Sequence, residues 1–215
     1  MKTALVAGAT GLVGKQLVLE LIANNSFQKV IVLARRELSV SHPKLVIKLI
    51  NFDQLEEVAL DEKIDVCFCS LGTTQKKSGR EGLTKVDYEY VLKLAQLSKK
   101  LEIPKFIVVS SQGANHQSTF FYMRTKGQME IALKKTDLET IYIVRPSLIT
   151  GEREEFRFGE EAGYYLYKAF QPLMVGKLKK LRSVSGLQIA RCMIDLAGNE
   201  EKGHFTIESD FIQSY

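Results

Sequence analysis

Short, continuously apolar runs alternate along this chain with stretches whose apolar residues recur at helical spacing. The runs are TALVAG (3–8), VIVL (30–33), LVIKLI (45–50), DVCFCS (65–70), KFIVVS (105–110) and TIYIVRP (140–146). Leu12, Val13, Leu17, Val18, Leu21 and Ile22 place a helix over 11–24. Val86, Tyr90, Val91, Leu94, Leu97 and Leu101 place another over 86–101, because such spacing puts them on one face. Further helices are expected from about 119 to 135 and at 186–198, with HFTIES (204–209) as a last strand.

Strands that are apolar at successive positions are buried on both faces. Separated by helices, they imply an α/β fold: a doubly wound, mostly parallel sheet with helices on both sides. Residues 151–185 break the pattern, being first charged (GEREEFRFGEE), then aromatic (YYLYKAF), then basic (GKLKKLR). The expected organisation is a single domain, with a core over 1–150, a small substrate-side lid over 151–185, and a helix and strand over 186–215 closing the fold.

Composition adds limits. A chain of 215 residues favours one domain. The hydrophobic share of 45% and charged share of 26% are ordinary for a globular protein and exclude a disordered or fibrous chain. The net charge of +5 is mild, and basic and acidic residues are mixed. The densest basic run, Gly176 to Arg182, reads as a solvated face before a nucleic-acid patch, so no nucleic-acid partner is expected. No run approaches the ~20 apolar residues of a membrane span. Three cysteines, Cys67, Cys69 and Cys192, are too few and too scattered for a disulfide framework and point to a reducing compartment, read here as the cytoplasm. Cys67 and Cys69 should share one face of a buried strand. With no His or Cys partner nearby they make a poor metal site, and no metal is expected.

The chemistry begins at VAGATGLVG. Gly8, Gly11 and Gly14, with Thr10, Leu12 and Val13 among them, lie between the first strand and the first helix. That is the setting of a dinucleotide-binding turn. One glycine permits the tight turn, one lets the backbone approach the pyrophosphate, and one permits close helix–strand packing. The helix N-terminus then offers N–H groups to the phosphates. No Lys-Ser/Thr pair follows, so the turn is not a P-loop.

The end of the second strand selects the cofactor. A carboxylate there grips a ribose 2′-hydroxyl, whereas arginine accommodates a 2′-phosphate. Arg35 and Arg36 stand at that place, which favours NADP(H), with Arg35 preferred. The bland alternative is that one of them faces solvent or pairs with Glu37. Asp53 either holds the adenine amino group or caps a helix. Ser70, Leu71, Gly72, Thr73 and Thr74 follow the fourth strand, where loops line the crevice of such sheets.

Tyr122 and Lys126 are four apart on an expected helix and share a face. Ser110 and Ser111 end the fifth strand at the same crevice. A neighbouring ammonium favours the phenolate of a tyrosine, and a tuned phenol can protonate a carbonyl oxygen as hydride arrives or take the proton in reverse. A serine hydroxyl polarises the same oxygen.

Taken together, VAGATGLVG, CSLGTT with KSGREGLTKVDYEYV, VVSSQGA, FYMRTKGQMEIAL and IVRPSLITGERE resemble the atypical short-chain dehydrogenases/reductases, and within them the Tat-interactive-protein-like oxidoreductases. The resemblance implies a Rossmann fold, NADPH binding, and Ser111, Tyr122 and Lys126 as catalytic triad, the second serine of the pair being the one used. It also implies that Arg145, Pro146, Ser147 and Leu148 pass the nicotinamide amide. One departure stands out: many relatives carry Asn on the middle helix, where Val86-Asp87 lies here. A carboxylate there alters the proton relay, and Asp87 is not counted as catalytic.

The lid offers Arg153 and Arg157 to an acidic substrate group, and Tyr164, Tyr165 and Tyr167 to an apolar pocket. Tyr164, Tyr167 and Phe170 equally form a packed or dimer-facing helix edge, which leaves room for a homodimer. Two functions compete. One is an NADPH-dependent oxidoreductase acting on a small carbonyl or alcohol; the other is an NADPH-binding regulatory or interaction module with little turnover.

Overall fold

A computed structural model of the chain describes residues 1–150 and 182–215. Seven strands form one sheet: β1 (Lys2–Ala7), β2 (Phe27–Ala34), β3 (Leu45–Leu49), β4 (Val66–Cys69), β5 (Lys105–Val109), β6 (Thr140–Arg145) and β9 (Gly203–Glu208). Their spatial order is β3-β2-β1-β4-β5-β6-β9, and each neighbouring pair is parallel. This is a Rossmann-type doubly wound sheet, as the apolar runs predict. HFTIES joins as its seventh strand.

Alternation within each strand splits the core in two. Ala4, Val6, Val30, Val32, Val66 and Phe68 face one layer of helices, α1 (Leu12–Ala23) and α5 (Gly186–Leu196). Leu5, Ala7, Ile31, Leu33, Cys67 and Cys69 face the other, α3 (Tyr90–Lys100) and α4 (Phe121–Lys134). The central strands are buried on both faces, which is why they are apolar at successive positions, whereas the edge strands β3 and β9 keep half-buried and exposed residues. The two cysteines share a face, as their spacing requires.

The chain runs from β1 through β2 to β3 on one side, then returns to β4 and proceeds the other way. The order reverses between β1 and β4, and ligands of such sheets bind outside the carboxyl ends of the strands at this point. Three further helical segments lie in the chain between β3 and α3. They are a 3₁₀ helix at Phe52–Glu57, α2 (Gln75–Thr84) and a π-helical turn at Lys85–Glu89. In α2 only Leu83 is buried, and Gly79 interrupts it at φ +70°, so no apolar stripe marks it. The helix expected over 86–101 is this π turn followed by α3.

A second, two-stranded parallel sheet pairs β7 (Ile149–Thr150) with β8 (Val184–Ser185). It joins the two ends of the described chain around 151–181. Ser185 and Gln188 then form a reciprocal capping box that opens α5, and α6 (Ser209–Ile212) ends the described fold. Of the lid expected over 151–185, residues 151–181, with Arg153, Arg157, Tyr164, Tyr165, Tyr167, Phe170 and all of the basic run except Arg182, lie outside the described residues.

Candidate active site

Two of the three glycines are fixed by packing. Gly8 adopts φ +94°, and a Cβ there would stand 2.5 Å from the Ser70 carbonyl group. A Cβ on Gly14 would stand 2.1 Å from the Gly8 carbonyl oxygen, so α1 rests directly on the turn. Gly11 differs: its φ is −80°, and a Cβ would approach Gly8 O to 3.4 Å, an ordinary contact. The space left by its missing side chain opens into a cleft. Gly11 caps α1 without a side-chain hydrogen bond, so a phosphate would meet bare backbone at a helix N-terminus. These residues fit a dinucleotide.

That cleft is walled by Gly11, Leu12 and Val13, by Ser70, Leu71 and Gly72, and by Asp87, Val109, Ser110, Tyr122, Lys126 and Ile149. The glycine turn, the loop after β4 and the Tyr-Lys helix thus converge. Ser70 anchors its loop to β1, with its backbone N–H 2.9 Å and its Oγ 3.1 Å from Ala7 O. Thr74 caps α2, its Oγ1 accepting from Lys77 N at 3.2 Å. Thr73 N donates to Asp87 Oδ2 at 2.7 Å.

Lys126 is buried, and its ammonium lies 2.8 Å from Asp87 Oδ1; the two side chains are 3% and 1% exposed. Burial alone pushes such an ammonium down. The Asp87 carboxylate, with lesser help from Tyr122 and Cys69, more than offsets this and holds Lys126 above the ordinary lysine range. A second ionic group sits one turn further along α4. Glu130 accepts from Ser110 Oγ at 2.5 Å and from Arg145 Nε at 3.0 Å. Arg145 also donates to Glu208 Oε1 at 3.1 Å. Tyr122, Lys126 and Glu130 therefore form one polar stripe at i, i+4 and i+8 on a helix that is otherwise packed against the sheet. Glu130 is absent from the sequence reading, although this spacing and the arginine ending the next strand are visible in the chain.

Other expected site residues lie outside the cleft wall. Ser111 is half-buried, its Oγ 3.3 Å from Gln112 O; Ser110 is the serine in the wall. Arg35 and Arg36 are exposed immediately after β2. Asp53 is bound by Lys85 at 2.7 Å and by the Tyr90 hydroxyl at 2.9 Å, which lower its carboxyl below the usual range. Arg145 is held by its two glutamates. Pro146 O accepts from Gln112 N at 2.8 Å. Ser147 bonds Arg182 O and Ser209 Oγ, and Leu148 O accepts from Val184 N at 3.0 Å. This segment ties β6 to the start of the 182–215 stretch.

The NAD(P)H-binding family matches residues 8–199. The chain belongs to this family. Protein HTATIP2 of Rattus norvegicus is 35% identical over 163 residues, covering 74% of this chain and 67% of that protein. Protein FMP52-1, mitochondrial, of Scheffersomyces stipitis is 35% identical over 158 residues, covering 71% and 69%. A putative NAD-dependent epimerase/dehydratase from Bacillus halodurans superposes with a TM-score of 0.68 at 20% identity, covering 100% of each chain. The resemblance to NAD(P)-binding, oxidoreductase-like proteins is thereby borne out. The expectation of a cytoplasmic protein is not: several fungal relatives are named mitochondrial. The cysteines misled because all three thiols are buried. Burial keeps a thiol unreactive in any compartment, so free cysteines do not distinguish one reducing interior from another.

Proposed function

We propose that the protein is an NADP(H)-dependent oxidoreductase of the short-chain dehydrogenase/reductase type, acting on a small carbonyl or alcohol. The convergence of Tyr122 and charged Lys126 on the cleft that opens at Gly11 carries this reading. A bound nicotinamide supplies or takes the hydride; Tyr122 gives the proton to the substrate oxygen, or removes it in reverse, as a positioned general acid–base does. Lys126 fixes the phenol's surroundings. Ser111 polarises the carbonyl, because its hydroxyl makes one loose contact whereas that of Ser110 is committed to Glu130. Arg35 meets the 2′-phosphate.

The deciding experiment titrates the protein with NADPH and NADH by nicotinamide fluorescence, then screens carbonyls with Tyr122→Phe as control. NADPH preferred at least tenfold, lost in Arg35→Ala, and turnover lost in Tyr122→Phe are expected. Equal binding of both dinucleotides sinks the role of Arg35. Turnover that survives Tyr122→Phe sinks Tyr122 as the proton donor, whereas NADPH binding with no turnover on any carbonyl favours an NADPH-binding interaction module. Parallel Ser110→Ala and Ser111→Ala variants separate the two serines, with the larger loss of turnover expected at Ser111.

A further inference from the structure

We infer that Asp87 sets the charge of the reaction centre. Its carboxylate cancels the Lys126 ammonium, so that Tyr122 faces a neutral pair rather than a bare cation, and the site is set to give a proton to a carbonyl rather than to take one from an alcohol. The inference rests on Tyr122 being the proton donor.

The geometry supports it from several sides. Asp87 stands on the π-helical turn between α2 and α3, and such turns gather at functional sites because they re-aim a side chain within a helix. The turn delivers the carboxylate to the cleft wall, where both ions are buried. One oxygen, Oδ2, is fixed by Thr73 N–H, which ties the loop after β4 to the same group. The other, Oδ1, lies 2.8 Å from Lys126 Nζ but has no aligned hydrogen-bond donor. Gly72 leaves room for it, since a Cβ there would stand 3.3 Å from Oδ1.

Among the described residues, the other groups named around Lys126 are neutral or paired. Val109 O, from β5, lies 3.4 Å away. Cys69, from β4, is a thiol that burial pushes up to about 12 and is uncharged at neutral pH. Tyr122 is on the same helix. Glu130 is one turn on and is matched by Arg145. An unaccompanied cation beside an acid typically shifts its titration by about one to three units; a carboxylate in contact with that cation removes most of the effect.

In the reductive step the carbonyl carbon accepts hydride from the reduced nicotinamide. The C=O π pair moves to oxygen and takes the phenolic proton, and solvent later reprotonates the phenolate. In the oxidative direction the phenolate must exist first, and a neutral Asp87–Lys126 pair does little to favour it.

The test is Asp87→Asn in protein carrying ¹³Cζ-tyrosine, with the Tyr122 resonance assigned through Tyr122→Phe. The pH–rate limb of alcohol oxidation should move down by about one unit or more, and the ratio of oxidation to reduction at pH 7 should rise about tenfold. The Tyr122 resonance should move with it in protein without cofactor. An unmoved resonance in folded Asp87→Asn overturns the inference. If the lone Lys126 cation prevents folding, Asp87→Asn/Lys126→Met leaves no unpaired buried charge. Because the two charges cancel, that variant should keep the Tyr122 titration within about half a unit of the native protein; a displacement of a full unit overturns the inference. Tyr122→Phe with undiminished reductase turnover removes Tyr122 itself, whereas an inactive Tyr122→Phe beside an unmoved resonance removes only the role of Asp87.

Discussion

Single residues separate support from binding most cleanly in the glycine turn. Gly8 and Gly14 exclude a side chain because backbone occupies the place of its Cβ; Gly11 excludes one only when a phosphate arrives. Gly14→Ala should therefore lose several kcal/mol of stability through overpacking, measured by urea denaturation. Gly11→Ala should melt like the native protein yet bind NADPH about tenfold or more weakly, a cost near 1.4 kcal/mol. The cysteines give a second residue-scale prediction. Burial pushes Cys69 and Cys192 up to about 12, so at pH 8 no thiol should react with a disulfide reagent until the protein unfolds. Folding favours the protonated form of each. That contribution is complete below the unfolded thiol value of about 8.5 and is lost as the pH rises toward the folded values, so stability should decline on the alkaline side.

Elements are held in register by ionic clamps that span them. Arg145 at the end of β6 meets Glu130 of α4 at 2.5 Å and Glu208 of β9 at 3.1 Å, and Glu130 in turn accepts a hydrogen bond from the Ser110 hydroxyl just past β5. Removing one partner of a buried pair leaves its mate uncompensated, typically at about 3–5 kcal/mol. Arg145 is partly exposed and keeps Glu208, so Glu130→Ala should cost about 3 kcal/mol, the low end of that range, by urea denaturation. The opening of α5 is a smaller clamp. Ser185 Oγ accepts from Gln188 N while Gln188 Oε1 accepts from Ser185 N. Ser185→Ala should cost about 1 kcal/mol, read from the same measurement.

The molecule as a whole is a two-faced sheet whose switch point gathers the cleft. A ligand that binds only the folded state stabilises it by mass action, by about 2.7 kcal/mol at a hundred times its dissociation constant. NADPH at that excess should raise the melting temperature of the native protein. It should raise that of Gly11→Ala by only about half as much, since tenfold weaker binding leaves about 1.4 kcal/mol at the same concentration, which links the element-level cradle to global stability. On the surface, among the described residues, no helix is long and apolar enough to cross a membrane.

The sequence by itself determined the layered sheet, because strands buried on both faces must be apolar at every position and their helices must show a stripe. It also determined the glycine turn and the Tyr122–Lys126 face, since both are local: a turn of fixed length and one helical period. α2 was not legible, because a polar segment with one buried residue carries no period, and of the helix read over 86–101 the period did not show that its first turn is wound as a π turn. Nor could the sequence assign partners 14 to 63 positions apart, such as Thr73 to Asp87, Ser110 to Glu130, or Arg145 to Glu208. Whether Asp87 meets water or Lys126, and which serine enters the wall, depends on how β4, β5 and α4 close around one cleft. Those contacts arise from packing between elements, which residue order constrains but only the tertiary structure decides.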